Sequence, residues 1–519
     1  MAEFDALIVG GGHNGLVCAA YLARGGLRPL VLERRPLFGG ACVTEEIAGA
    51  PGYRVSTGAA QCGNFRPEII RDLDLTRFGF ELLLPDPLSV FLFPDGRYLA
   101  LWQDTARTLE EIRRFSERDA RAFTRFYADC LAFVDLVEPL LYADAVPSLD
   151  EVQEHFRRAG QADLFDHFMM GSICDLLEDR FESQAVQAVV GFTSTFGTNA
   201  GPRSPGTAYV MAHHLFGGTA GVKGRTGYVR GGMGGLAEAL AAVAISHGAD
   251  LRTDAEVARI IITDNAVHGV ELVSGERITA PVVVSNADPQ RTFLGLVGRD
   301  HLTPSFADAI ASIEMQGVAL KVNCALDALP RFRAVPTEVP SPARVSLCPS
   351  LDYMEEAWEV AKNGHPSPQP FMTVHMQSAI DASLTPSGRH TLTCYAQYFP
   401  YHLAPSLGGW DLQRKAAGDL VLGTVAAYAP DIYDRMLAYE VLTPLDMERR
   451  FAMTGGHQFH GDLLPRHLFD CRPAPGCVGA RTPLEGLYLC GAGAHPGGCV
   501  WGAPGQRAAR AVVIDHRKC

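Results

Sequence analysis

Two short apolar runs near the N-terminus enclose a glycine-rich turn and a segment with helical spacing. Residues 4–9, FDALIV, have the length of one strand and lead into glycines, and residues 28–33, RPLVLE, predict a second strand. Between them, residues 14–24, NGLVCAAYLAR, place apolar side chains at a mostly helical spacing. The pattern predicts a strand, a glycine turn, a helix and a second strand.

The glycine turn follows the spacing G-x-G-x-x-G at Gly10, Gly12 and Gly15. Such glycines allow a tight turn, close approach of the backbone to a pyrophosphate, and packing of helix on strand. The N-terminus of the following helix would offer free N–H groups and a positive dipole end to phosphate. Glu33 stands about 20 residues further on, where a carboxylate binds a ribose 2′-hydroxyl, so we expect a dinucleotide without a 2′-phosphate. A purely structural glycine turn is the alternative.

The C-terminal region repeats this arrangement far along the chain. Residues 486–490 form a short apolar run, and Pro504 stands where the first turn of a helix would begin. Between them lie Gly491, Gly493, Gly497 and Gly498. NAD has no need of such a distant second unit, whereas the ring of FAD lies far from its adenine and is stabilised when reduced by a helix dipole. We therefore expect FAD, with an ordinary buried strand–helix unit as the alternative.

The interior alternates between strand and helix patterns. The turn sequence PDG at 94–96 separates two apolar runs and predicts a hairpin. From about residue 108 to 182 the pattern is helical and charged, with a capping box expected at Ser148 and Glu151. Short β-rich runs such as PFMTVHMQ and HTLTCYAQYF, between roughly 316 and 470, are typical of an antiparallel sheet that forms the wall of a substrate site.

Composition fits a globular enzyme with more than one domain. A chain of 519 residues exceeds a single core, and 47% hydrophobic with 20% charged residues are globular values. The net charge of −13 argues against a nucleic-acid partner. The 13 cysteines form no C-x-x-C pair and no signal-peptide pattern is present, so we expect a cytoplasmic protein with reduced thiols. Its longest uncharged stretches are broken by polar residues and predict no membrane span.

Three segments resemble the FAD-binding segments of the phytoene-desaturase-like flavoproteins: VGGGHNGLVCAAYLARGG, LERRPLFGGACVTEE and GLYLCGAGAHPGGCVWGAPGQRAA. Within that family the chain is most similar to the branch containing pyridine nucleotide-disulfide oxidoreductase domain-containing protein 2. The resemblance implies an α/β fold with a discontinuous Rossmann-like FAD-binding domain, an antiparallel-sheet substrate domain and a helical cap. The expected parts are residues 1–75, 216–300 and 475–519 for FAD binding, 76–107 and 301–474 for the substrate domain, and 108–215 for the cap.

The glycine units and the resemblance together give a set of candidate cofactor residues. His13 lies in the first turn, where it would meet pyrophosphate rather than substrate. By resemblance, Val257 would hold the adenine through its backbone, although a plain strand valine is equally compatible with the sequence. The expected FAD-binding residues are Gly10, Gly12, His13, Asn14, Gly15, Glu33, Arg34, Gly39, Gly40, Ala41, Val257, Gly491, Gly493, Gly498 and Val500, and no metal site is expected.

Pyridine nucleotide-disulfide reductase chemistry is not expected. That chemistry needs a redox cysteine pair beside the flavin and a second dinucleotide site. Cys42 follows a glycine pair, but the next cysteine, Cys62, is too distant for a local pair, and the later glycine clusters do not reproduce the dinucleotide motif. The reduced flavin should instead pass electrons to oxygen, a quinone or another acceptor, unless the flavin is never net reduced.

Histidines are the candidate bases for such a reaction. A flavin dehydrogenation transfers a hydride to the ring and also requires a group that accepts a proton. Histidine is the usual choice, and His460 and His495 lie in or just before the C-terminal flavin-binding turn. We expect these two to be catalytic. Weaker candidates, each with a structural role as the alternative, are His457, His213, His214 and Asp462.

The composition of the inner segments favours a small lipophilic or polyene-like substrate, although the same apolar residues would also build a core. We expect a desaturase or oxidase that forms a carbon–carbon or carbon–nitrogen double bond by hydride transfer to FAD. The alternatives are a redox-neutral isomerase or saturase, and an FAD-containing interaction protein without turnover. The oligomeric state stays open. An apolar cap face at residues 130–142 could contact a membrane surface, and a buried helix is the other explanation of that segment.

Overall fold

Three separate parts of the chain contribute strands to one parallel sheet, and the middle of the chain builds a second, larger sheet. The computed structural model describes residues 3–477 and 479–517. The strands are β1 (Ala6–Val9), β2 (Pro29–Leu32), β3 (Thr44–Ile47), β4 (Ala50–Ser56), β5 (Leu82–Leu83), β6 (Ser89–Leu92), β7 (Tyr98–Leu101), β8 (Tyr228–Val229), β9 (Asp250–Arg252), β10 (Val257–Thr263), β11 (Ala266–Leu272), β12 (Arg277–Thr279), β13 (Val282–Ser285), β14 (Ala319–Leu326), β15 (Arg344–Leu347), β16 (Phe371–His375), β17 (His390–Gln397), β18 (Met436–Leu442) and β19 (Leu487–Leu489).

Helices cover these sheets and form a separate cap. They are α1 (His13–Arg24), α2 (Pro67–Asp72), α3 (Thr105–Arg113), α4 (Glu117–Tyr142), α5 (Leu149–Arg158), α6 (Ala162–Phe165), α7 (Ile173–Glu178), α8 (Gln184–Gly191), α9 (Thr207–His213), α10 (Gly234–Ser246), α11 (Pro304–Ala311), α12 (Leu351–Ala361), α13 (Trp410–Tyr428), α14 (Ile432–Arg435), α15 (Pro444–Phe451) and α16 (Ala503–His516). Short 3-10 and π segments connect several of them.

The parallel sheet has the order β19-β13-β1-β2-β9. Its strands come from the N-terminus, the middle and the C-terminus of the chain, which confirms the expected discontinuous Rossmann-like domain. Every residue of β1 and β2 is buried, because α1, α10 and α16 cover one face of the sheet and residues of β10 and β11 pack against the other. The strand–glycine–helix units predicted at both ends of the chain are confirmed by β1 with α1 and by β19 with α16.

The larger sheet has the order β18-β14-β17-β16-β15-β6-β7. The predicted hairpin joins β6 to β7. Neighbours run antiparallel, as expected, except that β6 and β15 are parallel, with Val90 opposite Val345. A long excursion of the chain separates β6 from β15, so no hairpin fixes their relative direction.

Alternation along these strands gives the larger sheet two different faces. One face is apolar and packs in a core with α13, through residues such as Val322, Val345 and Val374. The opposite face carries polar side chains in register across neighbouring strands. Cross-strand pairs on that face are Arg344 with His375, Ser346 with Thr373, Thr373 with Tyr395 and Tyr395 with Lys321. This polar face looks toward the FAD-binding domain rather than toward solvent.

The cap comprises helices α3 to α9. Its α5 begins with the predicted capping box, in which the Glu151 N–H donates to Ser148 Oγ over 3.2 Å and the Ser148 N–H donates to Glu151 Oε2 over 2.8 Å. Residues 130–142 lie in α4 and bury Phe133, Val137 and Leu141 in the cap core. This buried side matches the buried-helix explanation of the segment, and contact of its other side with a membrane stays a prediction. No helix within the described residues combines the length and apolar character needed to cross a bilayer.

Candidate active site

A cavity of about 520 Å³ runs between the two sheets and under the cap. One end, which we call the nucleotide end, lies at the turn after β1 and includes Gly10 and Asn14. The other, the sheet end, lies against the polar face of the larger sheet and the aromatic residues of the segment that follows α8, including Phe192 and Phe196. A ligand in this cavity would contact all three parts of the protein.

Backbone geometry shapes the nucleotide end. Gly10 adopts a φ of +99°, which is a conformation that favours glycine. A Cβ on Gly15 would lie 2.3 Å from the Gly10 carbonyl oxygen, so α1 can pack this closely only without a side chain there. Helix α1 follows Gly12, which carries no side-chain cap, so its first N–H groups are available to a phosphate.

Glu33 is fixed at the end of β2. Its Oε2 accepts a hydrogen bond of 2.8 Å from the Gly11 N–H, and its Oε1 accepts one of 2.9 Å from the Arg35 N–H. The side chain is buried and lines the cavity. A carboxylate held in this way presents its remaining lone pairs to a ligand hydroxyl beside the first turn.

The predicted cofactor residues divide into two groups. Those that line the cavity are Gly10, Gly12, His13, Asn14, Glu33, Arg34, Gly40, Ala41, Val257 and Val500. Those that do not are Gly15, Gly39, Gly491, Gly493 and Gly498. The second group permits close packing behind the wall: a Cβ on Gly491 would lie 2.7 Å from the Asn286 carbonyl oxygen, and one on Gly498 would lie 2.5 Å from Phe459 Cβ. Ala492 and Cys499, between or beside those glycines, line the cavity instead.

The residues of this wall fit FAD. His13 Nε2, Asn14 Oδ1, Gln61 Nε2 and His460 Nδ1 are buried, belong to residues that line the cavity, and have no hydrogen-bond partner within the described chain. Buried polar atoms in native proteins are normally satisfied, so these atoms are suited to a polar ligand. Helix α16 also starts without a side-chain cap, after Gly502, so two helix N-termini have free N–H groups next to cavity-lining segments.

The two histidines expected to be catalytic occupy different environments. His460 lines the cavity, but the charged groups that act on it are Asp288, His457, Arg472 and Arg291, none of which lies on the larger sheet. Burial lowers the pKa of His460 to about 4, and His460 in turn helps burial to lower the pKa of His13 to about 4. His460 therefore stands neutral at the nucleotide end. This position suits contact with the cofactor better than abstraction of a substrate proton.

His495 lies outside the cavity. Its Nε2 donates a hydrogen bond of 3.0 Å to the Leu141 carbonyl, and its ring lies 6.0 Å from that of Phe469. Burial lowers its pKa to about 3. The geometry thus gives His495 a role in joining the C-terminal turn to α4 and argues against the catalytic role that its sequence position suggested.

The weaker candidates are mostly structural. His457 Nδ1 accepts hydrogen bonds from the N–H groups of Phe459 and Gly461, so its Nε2 carries the proton and donates to Asp462 Oδ1 over 3.0 Å. Buried Arg472 donates to carbonyl oxygens of the same loop, including those of Phe459 and Asp462. These contacts fix the loop that carries His460. His213 donates from Nε2 to the Gly498 carbonyl, and of these weaker candidates His214 alone lines the cavity.

Polar residues of the sheet end were missed by sequence reasoning. Lys321 is fully buried, and its Nζ donates hydrogen bonds of 2.7 Å to the carbonyl oxygens of Ser56 and Gly58. Burial lowers its pKa to about 7. Arg344, Thr373, His375 and Tyr395 line the same wall. Period-two alternation, as in ALKVNCAL over 319–326, carries the signal, but alternation alone normally indicates a face exposed to solvent.

The cysteines near the first turn stay protonated. Cys42 Sγ lies 3.5 Å from His13 Nδ1, and burial raises the pKa of this thiol far above its usual value. Burial also raises the pKa of Cys62 to about 12. Both are free thiols. Because the thiolate is the reactive form, this pair is unsuited to disulfide exchange with a flavin.

Comparison with known proteins agrees with this geometry. The model of the family described as flavin containing amine oxidoreductase matches residues 15–342. Pyridine nucleotide-disulfide oxidoreductase domain-containing protein 2 of Rattus norvegicus is 37% identical over 99% of this chain and 94% of its own. One of the limonene dehydrogenase subunits of Castellaniella defragrans is 27% identical over 99% and 95%. Hydroxyneurosporene desaturase of Rhodobacter capsulatus is 26% identical over 99% of both chains.

Solved structures support the same fold. Wild-type putrescine oxidase bound to putrescine superposes with a TM-score of 0.64 at 16% identity, covering 99% of each chain. At that identity the similarity concerns the fold alone. The 37% identity over nearly the whole chain confirms the resemblance found in the sequence. The family match over residues 15–342 shows that this chain belongs to the flavin containing amine oxidoreductase family as an FAD-dependent oxidoreductase.

Proposed function

We propose that the protein dehydrogenates a small substrate with a largely apolar body, forming a carbon–carbon or carbon–nitrogen double bond. The observation that carries this proposal is the continuity of the cavity from the nucleotide end to an aromatic wall at the sheet end. A cofactor held at one end would meet a substrate at the other within the same cavity. Relatives named as a dehydrogenase and a desaturase support this reaction type.

The substrate body would be enclosed by aromatic residues of the cap and sheet. Phe192 packs edge-on against Phe91 and Phe196, with ring centroids 5.2 Å and 5.0 Å apart. Phe196 continues this contact to Tyr395, at 5.6 Å. All four line the cavity. They bind an apolar body and exclude water, which would compete with transfer of a hydride.

FAD, when bound, supplies the hydride acceptor, and we propose oxygen or a quinone as the final electron acceptor. Lys321 is the residue best placed to hold or release a proton at the sheet end. Its Nζ donates to two carbonyl oxygens, and its pKa of about 7 allows it to exist with or without its proton near neutral pH. In this proposal Lys321 takes the role that the sequence had suggested for histidine.

The test is a visible absorption spectrum of the purified protein, repeated under nitrogen after photoreduction and again after air is admitted. If the absorbance of bound FAD is lost on photoreduction and returns rapidly in air, the result supports an oxidase. If the absorbance returns only after a quinone is added, the result supports a dehydrogenase. Flavin that neither acceptor reoxidises would contradict net dehydrogenation and favour a redox-neutral isomerase. Absence of FAD, bound or released on denaturation, would contradict the whole proposal.

Lys321→Met tests the proton role in the same preparations. This variant should keep its FAD while losing the pH dependence of flavin reduction near pH 7. Lys415→Met, at an exposed lysine paired with Asp419 on α13, is the matched control and should behave as wild type. An unchanged pH profile in Lys321→Met would remove Lys321 from the mechanism.

A further inference from the structure

A partly buried cation without a carboxylate partner stands at the sheet end of the cavity. Arg344 begins β15 and lines the cavity. Within the part of the chain that the structure describes, no carboxylate lies within ion-pair distance of it, whereas Arg35 and Arg450, elsewhere in the protein interior, each reach Glu45. Burying a charge is costly unless it is paired, so an unpaired guanidinium inside a cavity calls for an explanation.

Few protein groups use the hydrogen-bonding capacity of Arg344. Its Nη1 makes one long hydrogen bond of 3.4 Å to Thr226 Oγ1, and its buried Nε has no partner among the described residues. A guanidinium has five N–H donors. Thr373, two strand positions from His375 on the neighbouring strand, also has a buried hydroxyl without a partner and lines the same cavity.

The groups around Arg344 are neutral. The Tyr228 hydroxyl lies 2.9 Å from both the Ala343 carbonyl and His375 Nδ1; since the carbonyl can only accept, the hydroxyl donates to it and accepts from Nδ1–H. Burial first, and Arg344 second, lower the pKa of His375 well below its ordinary value. Burial likewise lowers the pKa of His214 to about 4, with a small further effect of Arg344. Both histidines are therefore neutral near pH 7, and neither balances the charge of Arg344.

The negative groups of the cavity lie elsewhere. Within the described residues, the carboxylates that line it are Glu33 and Glu256, which belong to the nucleotide end. Arg344 is also distant from Lys321, since β17 and β16 lie between β14 and β15. Three strand spacings place the two backbones about 14 Å apart across the sheet. A ligand group at Arg344 is therefore separated from the nucleotide-binding turn and from the proposed proton site.

From this geometry we infer that Arg344 binds a carboxylate of the substrate. The substrate would be an acid with an apolar body: its carboxylate would lie at Arg344, with Thr226 and Thr373 nearby, and its chain would lie along Phe91, Phe192 and Phe196. This inference rests on the proposed function, because it names the substrate class of the same cavity. It also narrows the expected lipophilic or polyene-like substrate to one that carries a carboxylate at one end.

A carboxylate matches this site better than a phosphate does. The planar guanidinium fork fits a carboxylate with two parallel hydrogen bonds. A phosphate monoester carries about 1.5 to 2 negative charges and would call for a second cation. Within the described part of the cavity wall, the cations besides Arg344 are Lys321, across the sheet, and Arg34, Arg35 and Arg291 at the nucleotide end.

The test measures binding of simple acids to the FAD-loaded protein. Straight-chain carboxylic acids from butanoic to hexadecanoic acid, and the amide of each, are titrated while the visible flavin spectrum and the melting temperature are followed. We expect at least one acid to bind roughly 10-fold or more tightly than its amide, since a charge-assisted hydrogen bond replaces a neutral one. Decyl phosphate should bind more weakly than decanoic acid.

Variants test whether Arg344 causes the difference in binding between an acid and its amide. Arg344→Gln should weaken binding of the acid roughly 10- to 100-fold and leave binding of the amide unchanged, and Arg344→Lys should fall between them. Arg118→Gln, at an exposed arginine of the cap, removes the same charge far from the cavity and should bind as wild type. If Arg344→Gln does not fold, the wild-type comparison of acid and amide and the Arg344→Lys variant still decide.

Several results would overturn the inference. Equal binding of every acid and its amide by the wild type would do so, as would equal loss of both ligands in Arg344→Gln, which would give Arg344 a structural role. Tighter binding of decyl phosphate would replace the carboxylate by a phosphate. The FAD content and photoreduction of each preparation are measured alongside. A wild type that holds reducible FAD but does not distinguish acid from amide refutes only this inference, whereas a wild type without FAD refutes the proposed function.

Discussion

The two ends of the cavity are built in different ways. At the nucleotide end, backbone conformation and close packing shape the wall, through Gly10 with its positive φ and Gly15 pressed against a carbonyl. At the sheet end, single side chains such as Lys321 and Arg344 shape the wall, and they come from strands that are separated in the sheet by β17 and β16. The first kind of wall suits a cofactor common to a family, and the second can change its ligand by changing one residue.

Removing Arg472, whose guanidinium holds the loop that carries His460, should have the largest effect on stability. Arg472→Met leaves several buried carbonyl oxygens, including those of Phe459 and Ala492, without their donor. We expect a loss of about 3–5 kcal/mol in the free energy of unfolding, measured by urea denaturation. Arg466→Met, at an exposed arginine nearby paired with Glu314, should change it by less than about 1 kcal/mol. A similar small loss in both variants would contradict the structural role of Arg472.

Crowding the first turn should remove the cofactor. The Cβ that Gly15→Ala adds would lie 2.3 Å from the Gly10 carbonyl oxygen, so α1 must shift away from the turn. We expect loss of bound FAD with destabilisation of about 1–3 kcal/mol, measured by absorbance and urea denaturation. Gly295→Ala, where a Cβ meets nothing within 4 Å, should keep both. Retention of FAD by Gly15→Ala would show that the backbone of this turn does not hold the cofactor.

Neutralising Glu33 should weaken FAD binding without removing it. In Glu33→Gln the amide can still accept one of the two backbone hydrogen bonds, but it loses the charge beside the ribose position. We expect roughly 10-fold weaker FAD binding, measured by fluorescence on reconstitution of the apoprotein. Glu110→Gln, at an exposed residue of the cap, is the control. Unchanged affinity in Glu33→Gln would leave Glu33 only the task of ordering the turn.

The smallest expected effect is a pH dependence set by the sheet end. The pKa of Lys321 falls from 10.5 to about 7 on folding, so between these values the unfolded chain binds more protons than the folded one. The free energy of unfolding should therefore rise with pH over this window because of Lys321, and less so in Lys321→Met. Urea denaturation at pH 7 and pH 10 measures the difference. If the free energy of unfolding depends on pH in the same way in wild type and variant, the pKa of Lys321 is not lowered on folding, and this prediction is wrong.

How much the sequence could predict follows the same division. The strand–glycine–helix units, the discontinuous domain, the hairpin after β6 and the capping box at Ser148 all depend on residues close together in the chain or on the family resemblance, and the structure confirms them. The parallel pairing of β6 with β15 could not be foreseen, because no local signal links residues so far apart.

The site was predicted less completely. Position in a motif placed His460 and His495 near the flavin-binding turn, but only packing decides which ring reaches the cavity. The strands that carry Lys321, Arg344 and His375 alternate clearly in the sequence. Whether the polar side of such an alternation faces water or a cavity depends on what covers it, and here distant domains do so.

The most direct test of the account is the FAD content per chain of wild type, Gly15→Ala and Lys321→Met, purified together. If the nucleotide end holds the cofactor and the sheet end serves the substrate, wild type and Lys321→Met should carry close to one FAD per chain and Gly15→Ala close to none. Loss of FAD in Lys321→Met with retention in Gly15→Ala, or a wild type that never contains FAD, would contradict this division of the cavity.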